Sequence, residues 1–344
     1  MRTTRLLLAA LLGLLPAAAQ AAFSSAARGT TTAQFLKIGA GARGVGLGEA
    51  FTAVADDATA LYWNLAGMTR VEYRSAAFMH ALHLDSSFLD YGAFVQSLGN
   101  AGAVGASVQY FSAGGMPQTD INGIEMGRFS PYDLAVGVGY AYRLQGIETP
   151  TLIDLEGASA GVSLKYIRSK IVDSAQTAAF DFGFLSPPLL NDRLSLAFTA
   201  VNVGPPMRFE REKEDLPLQL KLGSSYRGGE RWGASLDLAF PRDNAPYAAA
   251  GWEYSFQPPS ADYALAGRLG LNSRSMGDVD GLTGFAFGIG LKARSFRMDY
   301  AFLPFGALGI THRISLGLEL GRPAAKKPRE RDKRTSPTLT IPAP

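Results

Sequence analysis

Between residues 71 and 320 the chain repeats one device: segments of about ten residues in which large apolar side chains alternate with small or polar ones. Clusters of Gly, Pro, Asn, Asp and Ser separate the segments. A period of two sends successive side chains to opposite faces of an extended strand, so each segment has one apolar face and one wet face. At 295–302, Phe296, Met298, Tyr300 and Phe302 share one face and Arg297 and Asp299 the other. At 310–320, Ile310, Ile314, Leu316, Leu318 and Leu320 oppose Thr311, Arg313, Ser315 and Glu319. At 215–227, Leu216, Leu218, Leu220 and Leu222 oppose Gln219 and Lys221. The spacing predicts strands at 71–81, 88–98, 102–112, 130–143, 157–169, 176–185, 192–203, 215–227, 231–240, 246–256, 262–272, 283–293, 295–302 and 310–320.

Fourteen strands of this length suit a closed transmembrane antiparallel β-barrel, in which an even count returns both ends to one side. A two-layer sandwich also alternates, but it buries its apolar faces against each other and rarely needs so many uniform strands. Here the face opposite the large apolar side chains carries a charge in most segments. Arg74, Asp133, Lys165, Asp181, Lys221 and Asp237 come first, then Glu253, Arg268, Arg297, Asp299 and Arg313, with Asp90 and Lys292 of the same kind. These are expected to face the lumen. Tyr110, Tyr140, Tyr142, Trp252, Tyr254 and Phe256 near strand ends suit interfacial girdles. The longer connections 113–129, 204–214 and 273–282 all fall on one side if the first strand runs outward, with short turns on the other; 144–156 departs from that asymmetry.

The first residues read as an address. Arg2 and Arg5 precede the apolar run 6–15, and Ala19-Gln20-Ala21 supplies a small-x-small cleavage site, giving a secretory signal peptide over 1–21. The expected location is the outer membrane of a Gram-negative-type bacterium. Hydrophobic residues make up 47% of the chain and charged ones 18%. The formal charge of +3 misleads about partners. Setting aside Arg2 and Arg5, and the seven basic and two acidic residues from Arg322 onward, turns 33 basic and 30 acidic residues into 24 and 28. A body with net negative charge gives no nucleic-acid surface. The tail at 322–344, basic and Pro-rich, is expected to be disordered. With no cysteine, thiolate metal sites and cysteine nucleophiles are excluded.

Residues 22–70 do not alternate; they are rich in Gly and Ala, with a helical stretch around Asp56 to Tyr62, and form the natural plug for the lumen. The run from Phe35 through Gly39, Gly41 and Arg43, then Gly46-Leu47-Gly48-Glu49 through Asp56-Asp57 to Tyr62-Trp63-Asn64 and Ala66-Gly67-Met68, resembles the N-terminal signature of the PorV/PorQ family. That family is related to FadL-type long-chain fatty-acid transporters. Met298 to Phe302, Pro304-Phe305-Gly306 and Thr311-His312-Arg313 resemble its closing strands. The resemblance implies a hatch motif at Gly46, Gly48, Asp56, Asp57, Asn64 and Gly67. It also implies one of two functions: passage of hydrophobic small molecules through a hatch-gated barrel, or partnership with protein secretion or surface assembly. An inert structural barrel is a third. Lipid, lipopolysaccharide, hydrophobic solutes or secreted proteins are the corresponding partners. Leu65 stands where the family carries proline, which restores an N–H and frees φ at that turn.

Other motifs point away from catalysis and cofactors. Gly39, Gly41 and Gly44 spell a dinucleotide fingerprint but lack the βαβ setting. Asp56 and Asp57 suit a helix start better than a metal. Asp278 and Asp280 read as solvated loop carboxylates. Ser75 and His80 are five apart, on opposite faces of one strand, which opposes a nucleophile–base pair. His83 completes no site, and His312 falls on the outward face. The mixed-charge run 208–215 reads as a solvated loop.

Overall fold

A computed structural model describes residues 23–83, 87–145, 155–209, 212–276 and 280–321. The signal-peptide and tail assignments, with Asp278 and most of the 144–156 connection, lie outside the described residues.

Fourteen antiparallel strands close into a barrel. In chain order they are β1 (Arg74–Leu82), β2 (Phe88–Ser97), β3 (Ala103–Ser112), β4 (Tyr132–Arg143), β5 (Ser159–Lys170), β6 (Ser174–Leu185) and β7 (Leu194–Val203). They continue as β8 (Gln219–Arg227), β9 (Trp232–Pro241), β10 (Tyr247–Phe256), β11 (Tyr263–Asn272), β12 (Phe285–Ala293), β13 (Phe296–Pro304) and β14 (Ile310–Leu320). Each strand pairs with its neighbours in sequence, and β1 pairs with β14 from Arg74↔Leu320 to Leu82↔His312. Closure removes every edge, so all ladder groups are satisfied in a medium without water.

The outer face is apolar. Phe78, Val138, Val162, Leu269, Ile289 and Ile314 are each at least half exposed. Exposure of so much contiguous apolar area is what lipid, not water, stabilises. Aromatic rings band both rims: Phe88, Tyr110 and Tyr132 at one, and Tyr226 with Trp232 and Trp252 with Tyr254 at the other. The inner face is opposite in kind: Asp181, Asp237, Arg268, Asp299 and Arg313 are all buried.

Four details differ from the sequence reading. Arg74 does not face the lumen; it is exposed, on the outward parity of β1, and its Nε donates to Gln96 Oε1 at 2.7 Å. The inward residues of β1 are Ser75, Ala77, Met79 and Ala81. Because this wall faces an apolar part of the plug, both faces of β1 carry apolar groups, and a lone charge does not reveal which is wet. Asp90 is outward for the same reason and bonds His80 at 2.7 Å. Leu216 precedes β8 and is buried with Met207, Ala179 and Phe35, not displayed to lipid. The expected loops also contain two short hairpins, Met116–Thr119 with Glu125–Phe129 and Met207–Phe209 with Glu212–Glu214.

One irregularity breaks the wall. Between β6 and β7 the register shifts, with Phe180↔Val203 but Phe182↔Ala200, and Asn202 adopts φ +62°. This is a bulge, with one extra residue on β7. Asp181 stabilises it by accepting from Asn202 N at 2.7 Å.

Candidate functional site: the lumen and its plug

The segment ahead of β1 fills the barrel. It comprises a 3-10 turn Gln34–Lys37, helix α1 (Ala42–Gly46), helix α2 (Ala60–Trp63) and a 3-10 turn Leu65–Arg70. Such short helices cannot hold themselves in water; packing holds them here. Phe51, Trp63, Leu65 and Met68 are buried against wall residues Val95, Ala103, Ala141 and Ala301. Trp63 meets Phe51 edge-on at 5.8 Å and donates from Nε1 to Ala40 O at 2.7 Å, so its polar edge is satisfied inside an apolar core.

Each hatch-motif residue has a structural task. Asn64 is extended, and its Oδ1 accepts from Ala66 N, which starts the following turn. Its Nδ2 donates to Thr52 O at 2.8 Å within the plug and to Phe184 O at 3.1 Å on β6. Gly67 lies so close to Ala55 that a Cβ would stand 2.5 Å from its carbonyl oxygen. Gly46 packs on Gly288 of β12, and Gly48, at φ +67°, lies against the backbone of Leu271. Leu65, in the position the resemblance gives to proline, inserts its side chain toward Gly139 and Gly161 of the wall. The Gly39–Gly44 stretch packs on Trp63 and has no phosphate-binding setting.

Asp56 and Asp57 split their roles. Asp57 Oδ1 accepts from Thr59 N at 2.9 Å and Thr59 Oγ1 at 2.6 Å, ordering the approach to α2. Its Oδ2 takes Arg297 of β13 at 3.1 Å, and Arg297 continues to Glu319 at 3.7 Å, which Lys292 reaches at 2.8 Å. Asp56 pairs with Arg43 of α1 at 2.6 Å. Arg43 also reaches Glu253 of β10 at 3.2 Å, Glu253 pairs with Arg268 of β11 at 2.5 Å, and Arg268 with Asp299 of β13 at 2.7 Å. A continuous chain of opposite charges therefore runs from plug to wall across three strands.

The remaining inward charges bind the plug or stay within the wall. Asp237 Oδ2 accepts from Phe51 N at 3.2 Å, Thr52 N at 3.0 Å and Thr52 Oγ1 at 2.5 Å. Arg313 donates to Gly39 O. Ser75 Oγ accepts from Ala58 N, while His80 points out to lipid. Lys165 pairs with Asp181 at 2.9 Å inside the wall. Asp133 faces inward on β4, opposite Ser169 of β5. Lys221 faces Trp63, its Nζ 5.1 Å over the ring. Among the described residues no group of three or more His, Cys, Asp or Glu could hold a metal ion.

Sequence reasoning missed the attachment of residues 23–37. Phe23 N donates to Arg242 O at 3.0 Å, beyond the loop end of β9, so the described chain starts at the rim opposite the strand termini. From there it runs through the barrel to β1. Asp243, in the turn after β9, accepts from Thr31 Oγ1 at 2.6 Å and Gln34 Nε2 at 2.9 Å and pairs with Lys37 at 2.7 Å. Burial pushes the Asp243 carboxyl up, but these three donors outweigh it and hold its pKa below the ordinary value. A depressed carboxylate stabilises the attachment fully above the ordinary aspartate range, about 4, and loses it as pH falls through the depressed folded value. Limited proteolysis of the detergent-solubilised protein should therefore cut within 23–37 faster as pH drops below that range. Asp243→Asn should cut at the fast rate at neutral pH too.

This architecture can be set against known proteins. A family model described as an uncharacterised protein family, UPF0164, matches residues 13–162, which include the plug and β1–β4. A UPF0164 protein of Treponema pallidum (strain Nichols) is 32% identical over 149 residues, covering 42% of this chain and 30% of that protein. Among solved structures, the Ralstonia pickettii toluene transporter TbuX superposes with a TM-score of 0.53 at 12% identity, covering 81% of this chain and 97% of that one. A Pseudomonas aeruginosa FadL homologue gives 0.51 at 11% identity, covering 81% and 98%. The barrel is FadL-like. At such identities the likeness is one of fold, and the FadL-like fold here has fourteen strands with a lumen filled by the N-terminal segment.

Proposed function

We propose that this chain is an outer-membrane channel for hydrophobic small molecules, gated by the plug at 22–70 within the barrel at 71–321. The observation that carries the reading is how the plug is held. Its attachments to the wall include the Asp57–Arg297 and Arg43–Glu253 pairs and the Asp237 hydrogen bonds, polar contacts that can exchange for water or for one another. A purely apolar seam could be opened only by exposing it. The TbuX fold is known as that of a toluene transporter, which supports the solute class. The proposal includes removal of a signal peptide at 1–21, outer-membrane lipid and lipopolysaccharide around the barrel, and a basic tail at 322–344 on the side of the strand termini.

Uptake tests it. A host lacking its own hydrocarbon and fatty-acid porins should accumulate radiolabelled toluene or oleate several-fold faster when it expresses this chain. Unchanged uptake of both, with the barrel folded in the outer membrane, would sink the reading.

The PorV/PorQ resemblance supports a second reading, a partner of protein secretion or surface assembly. The observation in its favour is the hairpin at 116–129 on the loop-end rim. Asp120 Oδ1 accepts from Asn122 N and Ile124 N and shapes its turn, and Ile121, Ile124 and Met126 are 100%, 63% and 72% exposed. Replacing these three with Ser should leave uptake intact. If it depletes surface-exported proteins, the second reading gains.

A further inference from the structure

The outer wall carries one basic spot near its loop-end rim. Among the described residues, Arg168 and Lys170 of β5 are the only Lys or Arg at outward strand positions in the loop half of the barrel. They share one face of the strand, two positions and so about 7 Å apart. Among the described residues neither has an ion pair or a hydrogen bond. Asp173, in the turn that follows, is exposed and bridges to neither.

The neighbouring strands add a donor and no acid. Tyr132 of β4 is in register with Lys170, and Gln176 of β6 with Arg168. Tyr166 donates to Gln176 Oε1 at 2.6 Å, which leaves the Gln176 amide nitrogen to donate outward. Tyr132 stacks with Tyr110 at 5.9 Å, in the aromatic band of this rim. Toward the middle of the wall the same three strands turn apolar: Val136, Val138, Leu164 and Phe180 stand exposed. β4, β5 and β6 have 12 residues each, where β1 and β13 have 9. At the tilt of barrel strands, twelve residues rise by about 30 Å, more than the apolar band of about 25 Å. The end of β5 therefore reaches headgroup level, where a basic head meets phosphate while its stem still covers apolar surface.

We propose that Arg168, Lys170 and Gln176 bind the phosphate of an outer-leaflet glycolipid, the lipid A part of lipopolysaccharide, whose acyl chains lie on Val138, Leu164 and Phe180. Arg168 offers a planar fork and Lys170 a point charge, two complementary ways to hold one oxyanion. Three donors with no carboxylate among them suit an anion and repel a cation. The apolar field beneath is three strands wide, about 14 Å, which takes several acyl chains abreast. The proposal rests on the outer-membrane reading, with the loop end facing out. It requires no transport, because the site lies on the lipid side of the wall.

The test titrates the purified full-length protein, in uncharged detergent, with diphosphoryl lipid A and counts bound lipid by native mass spectrometry. Arg168→Gln combined with Lys170→Gln should weaken binding by roughly tenfold or more, as expected for loss of hydrogen bonds between charged groups. Lipid A stripped of its phosphates should bind the wild type as weakly. Arg74→Gln combined with Arg294→Gln removes the same charge from the opposite rim and should leave the affinity unchanged. Equal affinity in the wild type and the Arg168/Lys170 variant overturns the proposal, as does an equal loss in the control. Phosphatidylglycerol that competes on equal terms overturns it too, since any phosphate lipid would then serve. If the Arg168/Lys170 variant does not fold, Lys170→Gln and Gln176→Ala decide, and unchanged affinity in both overturns it. Sucrose-gradient fractionation of cell membranes tests the location separately. A chain found in the outer membrane but without lipid A selectivity refutes the site alone; a chain absent from that fraction refutes the reading beneath it as well.

Discussion

Arg268→Met will lower the unfolding free energy by about 3–5 kcal/mol, the loss expected when one partner is taken from a buried ion pair. Arg268 is 5% exposed and bonds two carboxylates, Glu253 at 2.5 Å and Asp299 at 2.7 Å. Methionine fills most of its volume but carries no charge. Asp299, itself 4% exposed, would then face the lumen with its partner gone. Glu253 would keep Arg43 but lose the cation that bonds it most closely. The deficit belongs to the stranded anions and not to the missing arginine as such. Arg268→Met combined with Asp299→Leu should therefore recover a large part of it, because a buried pair replaced by apolar groups is often neutral. Urea unfolding in detergent micelles, followed by heat-modifiable migration, gives both values. A double variant no more stable than the single one would show that the network is held by geometry and not by charge balance.

Strand positions were legible because barrel alternation is a local signal. Ser295, Phe296 and their neighbours state their faces within eight residues, and β13 runs from Phe296 to Pro304. β1 was less legible on the same grounds. Its inward side chains Met79 and Ala81, like Leu89 on β2, are apolar because the plug there is apolar, so Arg74 on β1 and Asp90 on β2 suggested the wrong face. The plug was legible as a motif and as a block without alternation, but its partners were not. Arg43 and Glu253 stand 210 positions apart, and Thr31 and Asp243 are 212 apart; nothing near either residue names the other. The signal that could have found them is negative: Arg43, Glu49 and Arg70 are isolated charges in a Gly/Ala-rich block otherwise built for burial, and each must meet a group elsewhere. Glu49 meets Arg274, and Arg70 donates to the carbonyls of Ala53 and Val54.

Gly270→Leu will open the barrel. The tip of the plug at Leu47 and Gly48 rests on two glycines paired across β10 and β11, Gly251 and Gly270. A Cβ at Gly270 would overlap Gly48 N and Cα, and one at Gly251 would stand 2.7 Å from Leu47 O. The atoms in the way are backbone, which no rotamer change removes. Overpacking ordinarily costs about 1–3 kcal/mol, and more where backbone must move. The wall and the plug share that strain unequally. β11 is held by ladders on both sides, from Ala249↔Asn272 to Phe256↔Leu265 and from Tyr263↔Ala293 to Leu271↔Phe285. The plug tip is held beside it only by wall side chains: Asn272 Nδ2 donates to Gly48 O at 3.0 Å and Glu49 Oε2 at 3.4 Å, and Arg274 pairs with Glu49 at 3.3 Å. The plug should yield. In planar bilayers the variant should conduct ions where the wild type is nearly closed, and protease should cut the plug while the barrel migrates as folded. Gly267→Leu, three residues along the same strand, is the control. A Cβ there meets nothing within 4 Å on the outer face, so conductance should not change. If Gly270→Leu stays closed with its plug protected, the wall has given way instead, and gating by plug displacement loses its physical basis.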